Sequence, residues 1–271
     1  RRRHSFPTRR SSDLWKFDAD VKSIAINSEI LDLLGKLYGR RAIPFQTLNF
    51  PVGTEQHMHS DSVHFSSLPE RFMCGVWLAM EDIHPEAGPL NYCPGSQRWP
   101  IINNLMLERQ RFGDQSEPAQ GPYEPVWRSI IEGQQASTET FLARKGQALI
   151  WAANLLHGGS PQLDPARTRW SQVTHYYFAD CAYYTPAFSD EALGRLDLRQ
   201  IVNIATGEIE PNRLFGKPLE SRPPEQREVP SWLGWLRRKA AQGQHIEGLP
   251  ADFDAETYLK LNPDVDRKSV V

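Results

Sequence analysis

His59-Ser60-Asp61, answered far downstream by His157 and then by Arg169-Trp170-Ser171, is the stretch on which the reading of this chain turns. The run before it, Phe45-Gln-Thr-Leu-Asn-Phe50, reads as a strand ending in the turn Pro51-Val-Gly53. Side chains two apart on a strand project from one face, so His59 and Asp61 are expected side by side. His157 closes the apolar run Gln147-Ala-Leu-Ile-Trp-Ala152 ahead of the flexible pair Gly158-Gly159 and offers a third ligand. Two imidazoles and a carboxylate on one side of an ion suit non-haem Fe(II), because the opposite positions stay open. A guanidinium just beyond the second His, at Arg169, is what a dicarboxylate needs at its far end. His-x-Asp alone is a weak signal, since His57, His64 and His84 also lie in this region and an isolated triplet reads better as surface or hydrogen-bonded histidines in a polar loop. The strand context on both sides is what raises it.

Motif order carries further. Trp77-Leu-Ala-Met-Glu-Asp82, then Gly88-Pro-Leu90, then Pro94-Gly-Ser-Gln97 form an aromatic-led strand, an acidic turn, a Gly-x-Leu strand and a Pro-Gly-Ser loop. Lys145-Gly-Gln-Ala-Leu-Ile-Trp151 followed by Leu156-His-Gly-Gly-Ser-Pro161 carries the second His. Over roughly residues 40 to 180, this succession resembles the phytanoyl-CoA dioxygenase family of Fe(II)/2-oxoglutarate oxygenases. It departs at Gln97, where the family more often has His, and in a somewhat longer step from His157 to the arginine, which leaves Arg167 as a rival to Arg169. Arg169 is preferred because it shares a strand face with Ser171 in an Arg-x-Ser pair.

The resemblance implies a mainly β (α+β) protein: a double-stranded β-helix, a jelly-roll or cupin-like barrel, with flanking helices. It implies Fe(II) held by His59, Asp61 and His157, 2-oxoglutarate as cosubstrate and O2 as oxidant. The distal carboxylate of 2-oxoglutarate would fall to Arg169 and Ser171. Thr47 and Asn49 share one face of the preceding strand, where relatives place polar contacts to 2-oxoglutarate, and Trp77 matches an aromatic beside it, although a packing role for Trp77 is as good a reading. The expected reaction is hydroxylation of a small or medium organic substrate with decarboxylation of 2-oxoglutarate to succinate. The presence of Asp61 favours hydroxylation over halogenation, because related halogenases carry a small residue there. His57 and His64 are read as rim residues, and His175 as a core histidine or a neighbour of the ligands. Two other readings stay open: a barrel that binds metal or ligand without turnover, and a cupin-type metal-dependent isomerase.

Composition bounds the rest. At 271 residues, with 39% hydrophobic and 10% aromatic content, the chain buries a sizeable core. A formal net charge of −2 makes no electrostatic case for nucleic acid or an anionic membrane, so a small-molecule substrate is the expected partner. The oligomeric state is left open. Three cysteines, without zinc spacing, read as reduced thiols of a cytoplasmic protein.

Residues 1–13 and 266–271 read as the two strands of a sequencing-library adapter translated as codons, so that the chain is a fragment with neither native end visible. Between them the expected order is an oxygenase domain over 14–210, a linker with a short helix over 211–250 and the start of a truncated helical module over 251–265. Within the domain, residues 28–38 read as a helix capped by Ser28 and stopped by Gly39. Residues 101–135, polar and mixed, read as an insertion with helices near Ile101–Arg111 and Trp127–Glu132, either a substrate lid or a packing flange.

Overall fold

The computed structural model describes residues 11–109 and 119–219. The proposed linker helix, the terminal module and the second adapter segment lie outside the described residues. In chain order the strands are β1 (Ser11–Ser12), β2 (Ala42–Phe50), β3 (Ser66–Leu68), β4 (Met73–Ala79), β5 (Leu90–Tyr92), β6 (Glu139–Phe141), β7 (Ala148–Ala152), β8 (His157–Gly159), β9 (Ser171–Phe178) and β10 (Ala182–Tyr184), with short strand pairs beyond them. The helices are α1 (Ala19–Ala25), α2 (Ser28–Tyr38) and α3 (Glu124–Gly133). The protein is mainly β, and its sheets are antiparallel.

A five-stranded sheet runs in the order β1-β2-β9-β4-β7, and a three-stranded sheet in the order β6-β5-β8. The chain moves from one to the other at β4–β5, returns at β6–β7 and crosses again at β7–β8 and β8–β9. One apolar core joins them: Leu48, Phe50, Trp77, Trp151 and Val173 from the large sheet meet Leu90 from the small one, with Phe141 set edge-on to Trp77 at 5.9 Å. The other face of the large sheet is covered by the helices, where Leu34, Ile30 and Leu31 pack on Cys74, Val76 and Tyr176. Strand β2 is therefore buried along its whole length, which is why its sequence shows no polar/apolar alternation.

Local signals account for the helices. Asn27, rather than Ser28, caps α2 by accepting from the Ile30 amide, and Gly39 ends it in the left-handed conformation at φ 67°. Helix α1, not expected from the sequence, is capped by Asp18 through the amides of Asp20 and Val21. In the insertion, a helix is present at Glu124–Gly133, but near residue 101 the described residues form only the 3-10 turn Leu105–Leu107. Ser11 and Ser12 pair with Asn49 and Leu48 at the edge of the large sheet. Among the described residues no helix is long and apolar enough to cross a membrane.

Candidate metal centre

The two histidines meet by backbone pairing, His157 from the small sheet and His59 from the loop after β2. His59 and His157 form an antiparallel bridge, each amide donating to the other's carbonyl at 2.9 and 3.0 Å. Contrary to the strand expected for His59-x-Asp61, the chain leaves extended geometry after Ser60 and turns into a 3-10 helix over Asp61–Val63, capped by the Ser60 hydroxyl. Asp61 reaches the same point as His59 through this turn, not through strand alternation. Nor does His157 close the apolar strand before it: β7 belongs to the large sheet, and His157 opens β8 in the small one after a four-residue crossing.

Each imidazole is oriented by its neighbouring backbone. His59 Nδ1 lies 2.8 Å from the His57 carbonyl and His157 Nδ1 lies 3.0 Å from that of Leu155. An Nδ1–H donated to a carbonyl leaves the Nε2 lone pair for an ion. Those Nε2 atoms lie 3.9 and 3.8 Å from the Asp61 carboxylate oxygens, and one ligand atom from each of the three buried residues falls within 4.8 Å of the others. Burial, reinforced by His157 and only partly offset by Asp61, lowers His59 to about 4, so the ring is neutral and able to ligate near pH 7. Burial works to raise the Asp61 carboxyl, yet His157, His175 and His59 around it prevail and hold it well below the ordinary carboxylate range. The donor set, two imidazoles and one carboxylate, fits a first-row divalent ion.

The interior face of the large sheet leads away from this point. Cross-strand register sets Phe50, Ser171 and Ala79 in one row, Leu48, Val173, Trp77 and Leu149 in the next, and Gln46, His175, Gly75 and Trp151 in a third. Arg169 lies just ahead of β9, its amide bonded to Pro51 and its guanidinium 5.6 and 5.7 Å from the rings of Phe50 and Trp77. It is 2% exposed and has no acidic partner among the described residues; its Nε and the indole nitrogen of Trp77 are both buried without a hydrogen-bond partner. Burial lowers its guanidinium to about 10, which leaves it charged at neutral pH. Ser171, fully buried, follows on the same face.

Other residues expected at the site lie elsewhere. Thr47 and Asn49 pair with Thr174 and Gln172 on the opposite, helix-covered face, where Asn49 donates to Gln172 and Gln172 to the Val21 carbonyl. They do not face the ligand triad. The reason is register: Gln46 faces the interior, and side chains one position on must face the other way. Arg167 stands at the surface, paired with Asp164 at 3.1 Å and Glu86 at 3.5 Å. The His57 side chain is exposed, and His64 is half-buried. His175 is buried against Asp61, 3.5 Å from Oδ2, and Trp151, not singled out in the sequence, donates to that same oxygen at 2.9 Å. Trp151 had one available signal, its place six residues before His157 on an apolar strand, but only cross-strand register shows which way the indole points.

The insertion packs beside the triad. Trp127 of α3, with Tyr123 and Ile102, joins Val63, Leu156 and Cys93 in one cluster, flanked by Met58. Each of Met58, Leu156 and Val63 lies within two residues of a member of the triad.

The phytanoyl-CoA dioxygenase (PhyH) family model matches residues 9–169. No curated protein matches the chain. Among solved structures, the chain is similar to the non-heme alpha ketoglutarate dependent carbocyclase SnoK from nogalamycin biosynthesis, at 18% identity and TM-score 0.50 over 79% of this chain and 73% of that one. It is similar to the epimerase SnoN, solved with Fe3+, alpha ketoglutarate and nogalamycin RO, at 19% identity and TM-score 0.51 over 74% and 77%. It also resembles EctD from S. alaskensis, solved with 2-oxoglutarate and 5-hydroxyectoine, at 17% identity and TM-score 0.50 over 69% or less of either chain (68% of this one and 60% of that one). At these identities the likeness is one of fold.

Proposed function

The chain belongs to the phytanoyl-CoA dioxygenase family, and from that premise we propose that it is an Fe(II)/2-oxoglutarate-dependent oxygenase that hydroxylates a small or medium organic substrate. The observation that carries the reading is Arg169. A His-Asp-His triad alone suits a cupin-type isomerase as well as an oxygenase. A buried, charged guanidinium with no acid beside it, on the interior face that also carries His175 against Asp61, calls for an anionic ligand. 2-Oxoglutarate, chelated at one end and ionised at the other, meets both requirements.

In this reading His59, Asp61 and His157 hold the ion. When bound, Fe(II) with 2-oxoglutarate supplies the oxidising power by which O2 functionalises a C–H bond, leaving succinate and CO2. Arg169 neutralises the distal carboxylate, Ser171 offers it a hydroxyl, and Trp77 forms the wall beneath the guanidinium. The apolar cluster of Trp127, Val63 and Leu156 shields one side from water, which favours the described part of the insertion, Ile102 and Tyr123 to Trp127, as a wall of the substrate cavity over a detached flange. The two antiparallel sheets with their repeated crossings are assigned to a double-stranded β-helix. The oxygenase domain is taken as 14–210, followed by a linker over 211–250 and a helical module over 251–265. Three buried free thiols, Cys74, Cys93 and Cys181, support a reducing, cytoplasmic setting.

The test is direct. The purified chain, supplied with Fe(II), ascorbate and labelled 2-oxoglutarate, should release labelled CO2, and more of it with the right substrate. Metal binding without any 2-oxoglutarate consumption, across substrate pools and in their absence, would transfer the protein to the isomerase class. A product that is rearranged rather than hydroxylated would overturn the reaction type alone.

A further inference from the structure

One transverse row of the large sheet, Gln46, His175, Gly75 and Trp151 on β2, β9, β4 and β7, faces Asp61 across the core. Trp151 Nε1 donates to Asp61 Oδ2 at 2.9 Å, and His175 Nε2 stands 3.5 Å from the same oxygen. Oδ1 accepts no hydrogen bond from a described residue and lies 3.9 Å from His59 Nε2, while His157 Nε2 stands 3.8 Å from Oδ2. We propose that Trp151 is a positioning residue that holds Oδ2 of Asp61, with His175 packed beside that oxygen, so that the carboxylate meets the metal through Oδ1 alone. This rests on the reading of His59, Asp61 and His157 as a metal site.

The argument is one of coordination number. The terminal torsion of a carboxylate is soft, so an unrestrained aspartate can offer an ion both oxygens or swing away from it. An octahedral ion held by three protein ligands keeps three positions open, and a second oxygen from Asp61 would take one that cosubstrate or oxygen requires. A hydrogen bond from a rigid indole to an ionised oxygen in a dry core is charge-assisted and directional. It fixes the torsion and occupies the oxygen that would otherwise compete.

The row is built to seat that donor. Gly75 lies directly across from Trp151, and a Cβ there would fall 2.5 Å from the indole Cε2. Glycine inside a strand weakens it and marks a close approach; here it is the space the indole occupies in order to reach Asp61. His175 beside it is held in place too. Its Nδ1 lies 2.9 Å from Oε1 of Gln46, which accepts Nδ1–H, and its ring packs against Phe65 and Phe45 at centroid distances of 5.1 and 6.0 Å.

The experiment uses Co(II) as probe, titrated into the full metal-free chain while its visible ligand-field absorption is recorded. Trp151→Phe keeps an aromatic ring but removes the donor. The Co(II) Kd should rise about ten-fold, the scale of losing an outer-shell partner. The intensity of the absorption band should also change as the second carboxylate oxygen enters the coordination sphere, a readout that a merely structural role would not move. Gly75→Ala, which displaces the indole, should move both quantities in the same direction. Should Trp151→Phe fail to fold, benzothienylalanine at position 151 keeps the bicyclic shape and replaces the N–H with sulfur. Wild-type Kd and spectrum in the folded donor-less protein would overturn the proposal and leave the metal site standing. Failure of the wild-type chain to bind Co(II) would overturn the site and this inference together.

Discussion

The two faces of the five-stranded sheet are equally dry but hold opposite kinds of polar group. On the helix side the buried polar residues are neutral: the Gln172 amide serves Val21, Thr174 and Asn49, while Thr47 Oγ1 and Asn49 Oδ1 have no partner among the described residues. On the interior side, beside the neutral Gln46 and Ser171, stand charged groups and the candidate ligands. Asp61 stands among three histidines, and Arg169 has no acidic partner among the described residues. A neutral network offsets much of its own desolvation, and a lone hydroxyl or carbonyl left over costs little beside an ion. A buried charge without a partner costs several kcal/mol, and a fold retains it where a ligand supplies the compensation. The comparison thus sets neutral polarity on one face against charged polarity on the other face of the same strands.

Its strongest test is Asp61→Ala. Turnover of 2-oxoglutarate should fall to background and Fe(II) affinity should collapse, while circular dichroism of the metal-free protein stays that of the wild type. Product formation at the wild-type rate would show that the interior charge is structural after all.

Arg169→Ala comes next. Leaving a dicarboxylate's far end without its guanidinium should cost on the order of 3–5 kcal/mol, more than two decades in 2-oxoglutarate affinity, with Fe(II) affinity nearly unchanged. Arg167→Ala, which removes only a surface pairing, should alter the 2-oxoglutarate titration little. A larger defect at Arg167 would reverse the assignment.

A smaller effect sharpens the contrast between the faces. Ser171→Ala should raise the KM for 2-oxoglutarate by roughly 2- to 10-fold, the value of one hydrogen bond at about 0.5–1.5 kcal/mol. Thr47→Val, on the helix side, should leave that KM unchanged, and Asn49→Ala should lower the melting temperature without touching it. A KM shift at Thr47 would mean that the cosubstrate is read from the other face.

The smallest expected effect is electrostatic. His59 has a folded value of about 4 against an ordinary 6.5, so the unfolded chain binds the extra proton first. The stability of the metal-free protein linked to this group is complete above about pH 6.5 and declines as the pH falls toward 4. Thermal melts across that window should show the decline, and His59→Gln should flatten it. A wild-type profile without slope would contradict the burial of a neutral ring there.

How much was legible beforehand can be argued from particular residues. His59, Asp61, His157 and Arg169 were readable because their chemistry is scarce and their order is specific to the family. Helix α2 was readable because its apolar stripe and Gly39 are local signals. Thr47 and Asn49 were assigned to the cosubstrate because both faces of β2 are buried, so its sequence shows no alternation from which to tell inside from outside. The register shift between Pro44 and Gln46 further obscures that parity. Asp61 was expected on a strand because the spacing fits one, yet a 3-10 turn brings it to the same place.

The sequence by itself therefore determined the family to which the chain belongs and which side chains are candidates for its chemistry, since ligand type, charge and motif order are properties of the chain alone. Only the tertiary structure decided which polar residues face the centre, that Arg169 is buried and Arg167 is paired at the surface, and that Trp151 passes over Gly75 to reach Asp61. These depend on cross-strand register between distant segments, such as those of Gln46 and His175, 129 positions apart. A displacement of one residue in that register turns every side chain to the opposite face.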